Sequence, residues 1–575
     1  MTLSFDACRM ETRSMMTRDG VRLDADVYTP LREVVGEGPW PVLLMRQPYG
    51  RAIASTIVYA HPSWYAAQGY IVVIQDVRGR GTSEGAFDLF AHEVSDGEES
   101  VRWVAQLPQS DGQVGMYGFS YQGMTQLQAA EGCAASGLAA LKVLSPAMTG
   151  YHLYEDWAYE NGALLLQLGL TWAIQLAAET ARINRDVARY QALLSASRKL
   201  PLHDEYPARP SVLSEVESFY HQWVTNPTDG EYWQQLTPQL SDVDLPMLHI
   251  GGWFDPYLRG DLRLYGEMCD RSQYAQPLCV GPWAHIPWSR KVGSVDFGPA
   301  AASSVDRLQI QWFDHILKGR EWAAPLVHLF EMGRNQWREF ERWPSCLDMT
   351  DEDRACDVTY FAQSEGLTNI REDSGSLSEF SSSGSRTDVL VHDPWNPAPS
   401  LGGHCSIPAG SFERTAVDSR GDVLTYTSAP LLREMRVLGV VTVSGAIASS
   451  ALSHDVCAVL SRVQDEKVYN LTQGYCRSYC QSYCQSDSQE VSARLQLSLH
   501  PTCFSLRKGE CLRLSLSAAC FPAYPVNSGT GAQPAEAKAI EAQIVTLAIA
   551  IGGVEGLQIT LPIVEDFEHA AAAVT

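Results

Sequence analysis

Two kinds of hydrophobic pattern divide the chain. Short apolar runs, unbroken by polar positions, recur in its first part and again after residue 240. They are Pro41 to Met45, Tyr70 to Ile74, the run ending at Gly118, Leu138 to Leu144, Leu245 to Ile250 and Pro277 to Val280. Continuous runs of this length suit strands covered on both faces. A helix-like segment, His92 to Gln106, and another from Met124 to Ala130 separate them. The alternation predicts a mostly parallel sheet with helices on both faces. Ahead of it, Thr17 to Tyr28 reads as a hairpin turned at Asp19-Gly20. From Tyr151 to about Asn226 the pattern is helical throughout, apolar over Gly162 to Thr180 and amphipathic over Ala181 to Ser197. With no strand between them, these helices predict an inserted cap. From about Cys356 the period changes to two. Leu495, Leu497 and Leu499 alternate with polar residues, as do Leu512, Leu514 and Leu516. Further strand-like runs are Val358 to Phe361, Val389 to Val391, Val423 to Thr427, Val437 to Val443 and Val456 to Leu460, with turn residues between them. This predicts an antiparallel β-sandwich. The expected division is an α/β core over 1–147 and 240–352, a cap over 148–239 and a sandwich over 353–575.

Composition narrows the function. With 43 basic against 67 acidic residues among 575, the formal charge is −24. Nucleic acid and anionic membranes are therefore not expected partners. The first fifteen residues contain no apolar signal core, and no run is long and apolar enough to span a bilayer. The nearest, Ala163 to Ala178, is interrupted by Gln167, Thr171 and Gln175. Fourteen cysteines without a secretion signal point to thiols in the cytoplasm. Cys476, Cys480 and Cys484 recur in a Tyr-Cys-x-Ser repeat. That spacing lacks the paired gap of zinc sites, so a duplicated loop or strand extension is expected, with no metal and no cofactor. The glycine-laced loop Asp76 to Gly85 lacks the ending of a phosphate cradle and reads as a turn held by Asp76–Arg78 contacts.

The chemistry centres on Gly118-Phe119-Ser120-Tyr121-Gln122-Gly123. A strand, a sharp turn and a helix meet at a serine, as in a nucleophile elbow. The small residue usually found two places after the serine is Gln122 here, and the glycine comes one later. Asp255 follows the run ending in Gly252-Trp253-Phe254, and His285 follows Gly281-Pro282-Trp283-Ala284. Each residue alone has a plain reading: an idle serine, a turn-forming aspartate before Pro256, a structural histidine. Together they sit past the carboxyl ends of three predicted parallel strands, where ligand sites of open α/β sheets lie. Their order is that of the α/β-hydrolase triad, and the long first gap leaves room for a cap. In that arrangement His285 takes the Ser120 proton and Asp255 orients the imidazole. The Tyr121 amide supplies one oxyanion donor, and the phenol of Tyr49, on the loop after an earlier strand, supplies a second. Of the many cap aromatics, Trp157 and Trp172 are candidates for a substrate pocket. Phe254, beside the aspartate, joins them.

These motifs, with Asp19-Gly20-Val21-Arg22-Leu23, Asp76-Val77-Arg78-Gly79-Arg80-Gly81 and Trp312 to Gly319, resemble the cocaine esterase / X-Pro dipeptidyl-peptidase family of serine hydrolases. That family's elbow is Gly-x-Ser-Tyr-x-Gly, which accounts for the displaced glycine. Asp393-Pro394, Leu401-Gly402-Gly403, Phe521-Pro522 and Asn527 are similar to its C-terminal jelly roll. The resemblance implies an α/β-hydrolase core, a helical cap and a jelly-roll sandwich. It implies Ser120, Asp255 and His285 as triad, Tyr49 and Tyr121 as oxyanion hole, and Trp157 and Trp172 at the acyl pocket. The substrate expected is a small carboxylic ester with an aromatic or apolar acyl group. An amidase or acylase, an acyl transferase and an X-Pro-type peptidase use the same triad and remain alternatives, as does a homodimer for the assembly. The related α-amino-acid ester hydrolases hold a substrate ammonium with acids soon after the triad aspartate. Tyr257 and Leu258 stand there instead, which disfavours such substrates.

Overall fold

Alternate residues of the apolar runs feed two different cores. Leu43, Met45, Val72 and Ile74 pack on one side of a sheet, and Val42, Leu44, Ile71 and Val73 on the other, all fully inaccessible. That is what continuous apolar strands require: a layer on each face. The computed structural model describes residues 7–52, 56–343, 355–371, 373–479 and 491–564. Ten strands make the sheet: β1 (Cys8–Met16), β2 (Arg22–Pro30), β3 (Trp40–Gln47), β4 (Ile71–Asp76), β5 (Ser110–Phe119), β6 (Leu141–Ala147), β7 (His249–Phe254), β8 (Leu278–Ala284), β9 (Val327–Glu331) and β10 (Gln336–Phe340). Their order is β1-β2-β4-β3-β5-β6-β7-β8-β9-β10. From β4 to β9 every neighbouring pair is parallel; β1–β2, β2–β4 and β9–β10 are antiparallel. Helices α1 (Glu93–Ala105) and α2 (Tyr121–Ser136) cover one face. A later helix, Val305–Lys318, covers the other through Ile310, Trp312, Phe313 and Leu317.

The cap departs from the expected pattern at its start. The stretch read as helical from Tyr151 gives only a π-helical turn, Leu153–Ala158, and then a short hairpin pairing Tyr159–Glu160 with Ala163–Leu164. The apolar helix α3 begins only at Leu166 and runs to Ile183, followed by α4 (Val187–Arg198). The hairpin is held by a distant partner: the Asn161 side chain donates to the Tyr475 carbonyl at 3.0 Å, and the Arg477 amide donates back to Asn161 O at 3.1 Å. Asn161 and Gly162, at φ 43° and 81°, make the two-residue turn that such a dipeptide favours, and the anchorage holds it in place.

The C-terminal part is a β-sandwich whose first and last described strands, Ala355–Ser364 and Gln558–Val564, pair antiparallel. Val437 to Val443 is not one strand. It divides into Met435–Gly439 and Thr442–Ser449, with Gly439, the last residue of the first, at φ 128°. The sandwich core is continuous with Leu278, Val280, Val327, Leu329 and Phe330 of the first sheet. Cys476 lies in the strand Lys467–Tyr479, its thiol pushed up to about 12 by burial, while Cys480 and Cys484 lie outside the described residues. No helix among the described residues is long and apolar enough to cross a membrane.

The loop after β4 is held differently from expectation. Asp76 binds Arg51, accepting from its amide at 2.7 Å and its guanidinium at 2.5 Å, rather than Arg78. Arg78 turns the other way, to Asp96 of α1 and to Asp19. Arg80, its pKa brought down by burial to about 10, lies 3.7 Å over the Phe87 ring and donates to Leu176 O and Thr180 Oγ1 of α3. The loop thus ties the cap to the sheet and, through Arg51, fixes the segment carrying Tyr49.

Behind the sheet edge lies a buried charge pair. Arg46 of β3 donates to Glu93 Oε2 at 2.5 Å and to Gln75 Oε1 at 2.8 Å, with Arg46 and Gln75 fully inaccessible and Glu93 3% exposed. Glu93 opens α1, where a carboxylate also meets the positive end of the helix dipole. Removing one member leaves the other charge buried and uncompensated. Arg46→Met is expected to destabilise the protein by about 3–5 kcal/mol, and Arg46→Met with Glu93→Leu to recover much of that loss, as read by chemical denaturation.

Candidate active site

β5 ends at Phe119, β7 at Phe254 and β8 at Ala284, so Ser120, Asp255 and His285 are in each case the next residue. Because β5, β6, β7 and β8 run parallel, all three emerge at one edge of the sheet. Tyr49 follows β3, the strand on the other side of β5, and reaches the same edge.

Ser120 adopts φ 60°, ψ −129°, a left-handed conformation rare for a residue with a side chain. The surrounding contacts impose it. Ser120 N donates to Ala147 O of β6 at 3.0 Å, and α2 starts at the very next residue, with Gly123 N and Met124 N donating to Ser120 O. Room for the turn comes from Gly118, at φ 146°, where an added Cβ would stand 2.4 Å from the Cβ of Gln122. Gln122 can therefore occupy a position usually held by a small residue. Gly123 meets Thr149 instead, where a Cβ would approach to 2.5 Å. Tyr121 is the first residue of α2, so its amide has no acceptor within the helix.

His285 Nδ1 lies 2.5 Å from Asp255 Oδ2, with the aspartate side chain fully buried and the histidine 26% exposed. Asp255 Oδ1 accepts from the Tyr257 amide at 2.9 Å. The imidazole is held between two rings, Phe119 at 5.4 Å and Tyr257, edge-on at 5.1 Å. Ser120 and His285 share no direct hydrogen bond; the ring of Phe119, the residue before the serine, packs against the imidazole. The Ser120 hydroxyl is instead within reach of the Tyr49 phenol. Trp172 Nε1 donates to that phenol oxygen at 3.1 Å. Burial raises the Tyr49 pKa above its ordinary value, so the phenol keeps its proton. With one lone pair engaged by the indole, its own O–H remains available as a donor.

Trp157 and Trp172 do come together, with ring centroids 5.5 Å apart. Trp157 is nearly inaccessible and donates to Gly150 O at 2.7 Å, whereas Trp172 is half-buried. Phe254 does not join them. Its ring packs toward Phe297, 6.3 Å away, inside the core shared with the sandwich. As the last residue of a strand covered on both faces, it points into a layer rather than past the edge. The ring that takes the expected place is Tyr257, stacked on Trp157 at 4.3 Å. Phe90 extends this buried aromatic cluster, stacked on Tyr121 at 4.5 Å and edge-on to Trp157 at 5.4 Å. The only sequence signal for Tyr257 is its place two residues after Asp255. Phe90 carries none, because it sits on the loop between β4 and α1 outside the motif residues.

Residues 19–287 match the family described as X-Pro dipeptidyl-peptidase (S15 family), and residues 321–550 match the X-Pro dipeptidyl-peptidase C-terminal non-catalytic domain. The cocaine esterase of Rhodococcus sp. (strain MB1 Bresler) is 30% identical over 544 residues, covering 89% of this chain and 91% of that protein. Two solved structures share the fold over nearly the whole length at 20% identity. One is an aminopeptidase from a marine sediment archaeon (Thaumarchaeota), with TM-score 0.78 and coverage of 98% of this chain and 97% of that one. The other is an α-amino acid ester hydrolase, with TM-score 0.75 and coverage of 96% of each chain. The chain belongs to the X-Pro dipeptidyl-peptidase (S15) family of serine hydrolases, together with cocaine esterase.

Proposed function

We propose that this chain hydrolyses carboxylic esters with an aromatic or apolar acyl group, through an acyl-enzyme on Ser120. The observation that carries the reading is the Asp255–His285 contact of 2.5 Å at the sheet edge where Ser120 is held in a left-handed turn. An ionised carboxylate only accepts, so Nδ1 carries the proton facing Asp255 and Nε2 is left to act as base. His285 then takes the Ser120 proton as Oγ attacks the ester carbonyl, and returns it to the departing alcohol. Water enters by the same steps in reverse and releases the acid. The negative charge on the former carbonyl oxygen is met by the Tyr121 amide at the positive end of α2 and by the Tyr49 hydroxyl.

The acyl preference rests on the aromatic cluster of Phe90, Trp157, Trp172 and Tyr257, which reaches His285 through Tyr257 and Tyr49 through Trp172. Cocaine esterase, the relative at 30% identity, is an esterase by name, which favours ester over amide.

Short and aromatic p-nitrophenyl esters test this. A burst of p-nitrophenol is expected from wild type and none from Ser120→Ala. Equal release by both would end the reading. A matched anilide turned over faster than the ester would replace it with the amidase reading. Tyr49→Phe is expected to lower kcat by about 10²–10³-fold, as loss of one oxyanion donor does. Trp172→Phe keeps a ring but removes the donor to Tyr49, and a fall of about 5–10-fold in kcat/KM is expected from one neutral hydrogen bond. Because burial raises the Tyr49 pKa, titration of this phenol is not expected to depress kcat/KM below about pH 10, which a pH–rate profile checks.

A further inference from the structure

One buried carboxylate, remote from the reacting atoms, joins all three parts of the molecule. Glu160, in the cap hairpin, is 1% exposed. Its Oε2 accepts from His404 Nε2 at 2.9 Å and from the Tyr524 hydroxyl, and lies 3.6 Å from the Cys405 thiol, all three residues belonging to the sandwich. Its Oε1 forms an ion pair with Arg259 at 3.3 Å. Arg259 lies in the first turn of the helix Leu258–Arg271, four residues after Asp255. His500 of the sandwich stacks on His404, with rings 4.0 Å apart and 8° from parallel, and its ring comes near the main chain of Asp255 without a hydrogen bond at either nitrogen. Tyr524 is in turn stacked face to face on Tyr475 at 3.9 Å. The Asp255 turn is therefore bracketed by Arg259 and His500, and both trace back to the same carboxylate.

We propose that Glu160 is a positioning residue for the Asp255–His285 pair, holding the turn that carries Asp255 through Arg259 and through the His404–His500 stack. The inference rests on the triad reading above. Its physical basis is that a carboxylate so deeply buried persists as an anion only with its cation and donors in place. Arg259, His404 and Tyr524 hold it far below the usual carboxylate range. Without that charge, Arg259 keeps only a long hydrogen bond to Glu155 O at 3.5 Å and the more distant Asp156 carboxylate, and the first turn of its helix is held less firmly. A displacement near 1 Å at the reacting groups can cost about 10²-fold in rate.

The donor atoms of Glu160, His404 and Cys405 lie within 4.8 Å of one another, a spacing that could also serve a metal ion. Arg259 already supplies positive charge to this carboxylate. Burial and the neighbouring Glu160 also push the Cys405 thiol well up, which keeps it protonated.

The test is Glu160→Gln, which keeps shape and removes charge, with Glu160→Asp as the charge-retaining variant. Turnover of a p-nitrophenyl ester is measured per serine labelled by a fluorophosphonate. Expected for Glu160→Gln is a fall in kcat of about tenfold or more with KM within about twofold, partly restored in Glu160→Asp. Should Glu160→Gln not fold, Tyr524→Phe removes one donor and keeps the ring. A several-fold fall in kcat at unchanged KM is then expected. Unchanged kcat per labelled site in the folded variant, or a loss confined to KM, overturns the proposal. So does stoichiometric zinc in the wild-type protein by elemental analysis. Turnover retained by Ser120→Ala would instead fault the triad reading and leave this one without its object.

Discussion

Parallel pairing is the constraint on which the site depends. A strand that enters a parallel sheet must leave at the same edge as its neighbours, so residues far apart in sequence are delivered to one line. β5, β7 and β8 release Ser120, Asp255 and His285 there, and β3 brings Tyr49. The arrangement needs no coincidence of loop conformations, only that each residue be first past its strand. The serine adds a local condition. Its left-handed backbone is fixed between a hydrogen bond to β6 and a helix beginning at the next residue, and Gly118 makes the space. Strain of this kind persists only where the surroundings over-determine it.

Delivery to an edge does not by itself orient side chains. Rings do much of that here. Phe119 and Tyr257 confine the imidazole of His285, and Trp172 directs the Tyr49 phenol. Buried charges fix the larger pieces. Arg46–Glu93 anchors the start of α1 and reaches Tyr121, whose hydroxyl donates to Glu93 at 2.7 Å. Arg51 fastens the Tyr49 loop to Asp76, and Glu160 gathers cap, sandwich and the Asp255 turn. Each such group is costly to leave unpaired in a medium of low dielectric, so each admits few alternative placements of the elements it joins.

Much of this was legible from residue order. Unbroken apolar runs gave β3, β4 and β6 to within a few residues, and the helix expected over His92 to Gln106 spans Glu93–Ala105. Period-two leucines gave the sandwich strands around Leu495 and Leu512. The readings that changed share a cause. The cap hairpin at Glu160, the break at Gly439, the partner of Asp76 and the inward turn of Phe254 all depend on groups supplied from elsewhere in the chain. Asn161, in the turn of the cap hairpin at φ 43°, gives its side chain to the Tyr475 carbonyl, more than three hundred residues on.

The sequence alone determined which residues stand first past which strands and in what order they follow one another, because hydrophobic period and local turn chemistry are written along the chain. Only the tertiary structure decided that Tyr257 rather than Phe254 faces the histidine, that Trp172 donates to Tyr49, and that one cap carboxylate pairs with Arg259, four residues past the aspartate. Those choices are made by contact across space, where the partner of a ring or a charge is whatever the packed layers bring within a few ångströms.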